Sequence, residues 1–293
     1  MARTLEQFIK FGTSAYGLER TFRLLQSLTL ILVHIPAIPV LLFHLLSRTG
    51  TVPPPGPTAL DVSTLTTLSG LTSRLNLGRR FFRVFRFLDA FNSAYLLSTS
   101  GTGGLSLDAW LTVSAHSFNG MYFLLETLTF PDVLGVPGVS IWGAEWGKVL
   151  RVESQRFWLF ALVCGAAAGA IKVKGGAVEG RKRYRTLRKT IANVLDVPLP
   201  GVVVGWVPVS EGAVGVCMLL STWLTAAEVW EACGEQVDEE RLKMGKGGGK
   251  GTARTASPGS GRASPGSGRG GSCGIPVATR LVLKETQLAE KKA

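Results

Sequence analysis

Five arginines stand between Arg74 and Asp89, interleaved with bulky apolar residues in a helical rhythm. Written on a helix of about 3.6 residues per turn, Leu71–Ser98 separates into two faces. Leu71, Leu75, Leu77, Phe81, Phe82, Val84, Phe85, Leu88, Tyr95 and Leu96 share one broad side, and Arg79, Arg80, Arg83 and Arg86 gather on the other. Arg74 and Asp89 fall on the apolar side and Phe87 on the polar one, so the separation is good but imperfect. This pattern suits the plane of an anionic bilayer, and its chemistry is adhesion without covalent change. Each arginine near an anionic surface contributes about 1 kcal/mol. Each large apolar side chain leaving water contributes roughly 1.5–3 kcal/mol if fully buried. Hydrophobicity would then set affinity, and charge would set lipid preference. The plainer alternative is a helix packed on a protein core with its arginines in water.

Constellations for covalent chemistry are missing. GKGGGKG after Met244 imitates a phosphate-binding loop, but Met244 stands where the first glycine belongs and Gly251 follows Lys250. His34, His44 and His116 are isolated, and Cys164, Cys217, Cys233 and Cys273 have no metal-ligand spacing. No catalytic residue, metal ligand or cofactor is assigned, and an enzyme is not expected. The cysteines read as reduced thiols of a cytosol-like compartment. The net charge of +12 is concentrated at one end: residues 241–293 carry 11 Lys/Arg against 2 Asp/Glu. The basic balance is therefore a property of the tail and does not mark a nucleic-acid binder.

The elements around the arginine segment are helical and apolar. Thr4 and Gln7 match a capping box opening a first helix that carries mixed charges, as an ordinary packing helix does. Leu24–Ser47 holds no Asp, Glu, Lys or Arg but is interrupted by Pro36 and Pro39. It reads either as a kinked hairpin or as a span. A break follows at Val52–Pro57. Two further segments read as membrane segments, at about 157–171 and 212–230, the first with a small-residue face at Gly165, Ala166, Ala168 and Gly169. Between them the basic run Lys172–Lys189 reads as a loop for anionic lipid or a targeting receptor. Residues 241–293, rich in Gly, Ser and Pro, read as a disordered basic tail. The expected fold is all-α: a multi-helix integral membrane protein of residues 1–232 with an amphipathic membrane-surface helix at 71–98.

LEQFIKFGTSAYGLERTFRLLQSL near the start, together with SRLNLGRRFFRVFRFLDAF, resembles the fungal form of the peroxin-11 family of peroxisomal membrane proteins. The resemblance covers roughly residues 1–232 and implies a peroxisomal membrane protein that elongates the membrane before fission, controlling peroxisome size and number. It implies that Arg79, Arg80, Arg83 and Arg86 meet lipid headgroups while Phe81, Phe82, Phe85 and Leu88 enter the acyl boundary. The partners it implies are an anionic phospholipid membrane, further copies of the chain, the fission machinery and a peroxisomal membrane-protein import receptor. A metabolite channel, built by oligomerisation through the small-residue face, and an adaptor for fission factors stand as alternatives.

Overall fold

A computed structural model describes residues 2–48, 62–99, 104–136, 138–176 and 179–247. The break at Val52–Pro57 and the tail beyond residue 247 lie outside the described residues. The fold is all-α, with no strand among the described residues. In chain order the helices are α1 Ala2–Thr13, α2 Ala15–His34, α3 Ala37–Arg48, α4 Val62–Phe81, α5 Arg86–Thr99, α6 Leu107–Leu128, α7 Phe130–Leu134, α8 Gly143–Lys174, α9 Gly180–Asp196, α10 Pro198–Val204 and α11 Glu211–Gly247.

Several boundaries differ from the sequence expectation, each for a local reason. The first helix starts at Ala2, so Thr4 lies inside it, and it ends before Ser14. Ser14 caps α2 instead, its Oγ accepting the Gly17 amide at 3.0 Å. No single helix runs through Leu24–Ser47. Pro36 has no N–H to give and drives Ile35 out of the helical region (φ −122°, ψ 81°), so the chain breaks between α2 and α3. The segment Leu71–Ser98 is not one helix either: α4 begins earlier, at Val62, and a tight turn at Phe82–Phe85 separates it from α5. The basic stretch after Ile171 is no loop, since Lys172 and Lys174 close α8 and Arg181–Lys189 lie in α9. Residues 241–247, expected as the start of the tail, are the end of α11.

The described residues divide into two compact units, one within Phe11–Val229 and a second that joins Ala2–Lys10 to Trp230–Gly247. In the first, α2 runs antiparallel to α4, and α6 to α8. Phe22 of α2 lies over Gly78 of α4 and Thr72 Oγ1 donates to Thr29 Oγ1 at 2.9 Å. Phe118 of α6 meets Phe157 and Phe160 of α8 at 6.2 and 5.7 Å, and Tyr122 stacks on Trp158 at 5.3 Å. Ala90, Tyr122 and Phe123 form the buried core, with Phe87, Phe157 and Trp158 against them. The small-residue face of α8 is filled by α9. A β-carbon at Gly165 would stand 2.8 Å from Asn193 Nδ2, and one at Gly169 would overlap Thr190 Oγ1. In the second unit the polar side of α1 is tied to α11 by Arg3–Asp238 (2.6 Å), Lys10–Glu240 (2.6 Å) and Arg241–Glu6 (3.0 Å). Gln7 Nε2 also donates to the Trp230 carbonyl at 2.7 Å.

Candidate functional site

The α4–α5 turn is closed by short-range backbone bonds. The Arg83 amide donates to the Arg80 carbonyl and the Arg86 amide to the Arg83 carbonyl, each at 3.0 Å. Thr127 Oγ1 of α6 donates to the Val84 carbonyl at 2.6 Å and seats the turn from outside. The turn sorts the eight expected membrane-binding residues into two groups. Phe81, Phe85 and Leu88, at i, i+4 and i+7, stay outside with 67%, 73% and 59% of their surface exposed. They form a ridge, with Phe81 also in ring contact with Phe130 of α7 at 6.3 Å. Phe82 turns the other way, onto Phe22 at 5.6 Å.

The arginines point into the bundle instead of away from it. Arg79, Arg80 and Arg83 are buried, at 5%, 8% and 7% exposure. Arg83 donates to Tyr122 Oη at 3.1 Å and to Glu126 Oε1 at 2.9 Å, and Arg80 pairs with the same oxygen at 3.4 Å. Arg79 donates to Gln26 Oε1 at 2.5 Å and pairs with Glu19 at 3.8 Å. Arg86, half-buried, pairs with Glu19 at 3.4 Å and lies over the Tyr16 ring at 4.6 Å. Neither face of the sequence pattern is therefore lost, but the polar one is internal. Charges taken out of water need partners, and Glu19 and Glu126 are those partners.

The electrostatics follow. Burial alone would raise the Glu19 carboxyl, but Arg20, Arg86, Arg83 and Arg79 outweigh it and hold it well below the ordinary carboxylate range. Burial would likewise lower Arg83, yet Glu126, Tyr122 and Glu19 raise it above the ordinary arginine value. Arg79 has a weaker carboxylate contact and suffers from burial, Arg83 and Arg23. Its guanidinium is pushed down to about 9 and stays charged at neutral pH.

Sequence reasoning missed the two carboxylates. Glu19 was one sign among several on a mixed helix. Glu126 carried a better signal, because it is the one Asp, Glu, Lys or Arg between Trp110 and Phe130. A lone carboxylate in an apolar helix asks for a buried basic partner. Among the described residues, no group of three or more His, Cys, Asp or Glu could hold a metal ion.

Residues 58–180, from just before α4 to the start of α9, match the family model of Peroxisomal biogenesis factor 11. Over these residues, which are less than half of its length, the chain is similar to that family. No curated protein and no solved structure matches the chain. Proteins of that family are peroxisomal membrane proteins involved in peroxisome proliferation, biogenesis factors and not a known enzyme family. The match contains the ridge, its four arginines and Glu126, whereas Glu19 lies outside it. Among the described residues, two helices are long and apolar enough to cross a membrane, α8 and α11 through Lys243.

Proposed function

We propose that this protein elongates the peroxisomal membrane ahead of fission by inserting the α4–α5 ridge into the cytosolic leaflet, while α8 and α11 cross the bilayer. The observation that carries the reading is the exposure of Phe81, Phe85 and Leu88 on a turn whose basic residues are tied down behind it. Three large apolar side chains leaving water would contribute about 3–6 kcal/mol, allowing for incomplete burial. The ridge also stands near the level at which the apolar part of α8 begins. Tyr122 stacks on Trp158, and Glu126 is one turn further along α6. Insertion there pushes headgroups apart in one leaflet and favours curvature.

In the described conformation Arg86 is the least buried of the four guanidiniums, and Arg79, Arg80 and Arg83 are held behind the turn by Glu19 and Glu126. For those three to reach lipid phosphate, and for Phe82 to enter the acyl boundary, the turn must exchange Glu19 and Glu126 for anionic lipid. That exchange is part of the proposal. So are further copies of the chain, fission factors and a membrane-protein import receptor as partners, the last at the exposed Arg181, Lys182 and Arg183 of α9. The channel alternative loses its motive, because the small-residue face that would join subunits is filled by α9 of the same chain.

The test uses the purified full chain on phosphatidylcholine vesicles containing phosphatidylinositol, imaged by electron microscopy. Wild type is expected to draw tubules. Phe81→Glu with Phe85→Glu is expected to bind through the spanning helices without drawing them. Tubulation unchanged by that pair would overturn the wedge.

A further inference from the structure

We propose that Thr190–Val204, the second half of α9 and all of α10, dips into the bilayer beside α8 as a re-entrant segment whose outer side is covered by lipid acyl chains. The inference rests on α8 crossing the membrane and is otherwise independent of the α4–α5 ridge. Composition hides the segment. α9 opens with Arg181, Lys182, Arg183, Arg185, Arg188 and Lys189, so the whole stretch reads as an aqueous basic loop.

Register places it differently. α9 runs antiparallel to α8, with Asn193 against Gly165 and Thr190 against Gly169. Continued upward, this pairing sets Lys172 and Lys174, which close α8, level with residues 184–187. Arg181, Lys182, Arg183 and Arg185 therefore stand beyond the end of the apolar stretch Phe157–Ile171, and Arg188 and Lys189 stand level with its last turn, from which long basic side chains can snorkel to the phosphates. From Thr190 to Val209 the chain lies alongside that stretch, and Asp196 is its one Asp, Glu, Lys or Arg. Asp196 does not face outward. It is buried and takes Arg23 Nη2 at 2.5 Å, and that nitrogen also reaches Ser221 Oγ at 3.3 Å. A paired, inward carboxylate is the form in which charge persists at membrane depth.

The outer side is what acyl chains would meet. Tyr184, Leu187, Ile191 and Val194 recur at i, i+3, i+7 and i+10 and are all exposed. The first two fall at the headgroup level and the last two below it. Exposed Val203 continues the surface, and the Trp206 ring meets Phe160, in the middle of α8, at 6.2 Å. Backbone polar groups at that depth need partners within the protein. The reversal after α10 supplies them: the Trp206 and Val207 amides both donate to the Gly201 carbonyl, at 3.0 and 3.2 Å.

Cysteine scanning in proteoliposomes tests this, on the full chain with Cys164, Cys217, Cys233 and Cys273 replaced by alanine. Single cysteines go in at Lys182, Ile191 and Val194, and at Val163, an exposed residue of α8. A membrane-impermeant maleimide is supplied on both sides. Lys182→Cys is expected to label, and the other three to resist. A bimane placed instead at Ile191→Cys or Val194→Cys is expected to be quenched by phosphatidylcholine carrying a nitroxide on its acyl chain. Labelling of Ile191→Cys and Val194→Cys with Val163→Cys protected would overturn the re-entrant segment alone. Labelling of Val163→Cys as well would overturn the crossing by α8. Protection without lipid quenching would mean that a second copy covers α9, and would also overturn the proposal.

Discussion

Two amphipathic segments of this chain, α1 and the α4–α5 turn, both direct charges toward protein and leave an apolar side outside. Leu5, Phe8 and Ile9 of α1 are exposed, as Phe81, Phe85 and Leu88 are. The difference lies in how the charges are held. The side chains of Arg3 and Asp238 keep 56% and 47% of their surface in water, whereas those of Arg83 and Glu126 keep 7% and 8%. Exposed pairs exchange easily with solvent and salt and contribute little. Buried pairs cannot lose one member without stranding the other. The same inside-out arrangement is therefore a loose docking in one place and a structural lock in the other.

Removing Glu126 should produce the largest effect. Glu126→Ala leaves Arg80 and Arg83 buried with no carboxylate between them and should cost about 3–5 kcal/mol. Denaturant titration in detergent measures this, and high salt should change the loss little. A loss below about 1 kcal/mol would put the turn in the same class as α1 and erase the contrast.

Acid should separate Glu19 next. Its folded-state carboxyl is held below the unfolded value, so its contribution is fully present above the unfolded pKa of about 4.3 and is lost as pH falls below it. Stability should be level from neutral pH to about 5 and then decline into acid. Glu19→Gln should be less stable at pH 7 and decline less steeply in acid. Parallel acid limbs for the two proteins would show that Glu19 carries no such linkage.

Helical periodicity was enough to find both apolar faces and the all-α fold, because side-chain spacing on a helix is fixed by backbone geometry. It could not say which face points inward. That depends on partners far away in sequence, such as Glu19 for Arg79 and Glu126 for Arg83, and a helical wheel contains no partners. The break at Phe82–Phe85 was equally illegible. No glycine or proline marks it, and what holds it there includes Thr127 of another helix. The break at Pro36, by contrast, was written in the chain.

Within the ridge, neighbouring phenylalanines should divide as the geometry divides them. Phe82→Ala removes the ring that packs on Phe22 and should cost about 2 kcal/mol, less than the loss for a fully buried phenylalanine. Phe85→Ala touches a ring that is 73% exposed and should change stability by less than about 0.5 kcal/mol. Vesicle tubulation should reverse the order, with Phe85→Ala the more damaging. If both substitutions alter stability equally, the turn does not point Phe82 inward and Phe85 outward.

The smallest effect belongs to α1, and its size is the point. Asp238→Ala removes one exposed partner of Arg3, so the expected loss is slight even at low salt. Raising ionic strength should shrink the difference from wild type further, since the Debye length falls from about 10 Å at 0.1 M to about 3 Å at 1 M. Glu126→Ala should show no comparable salt dependence, because water and ions do not reach its pair. Fluorescence of a dye on α1, read across a salt series in both variants, separates the two behaviours. A large, salt-independent loss in Asp238→Ala would mean that the α1 pairs are desolvated in the membrane-bound protein, and α1 would then be a second lock.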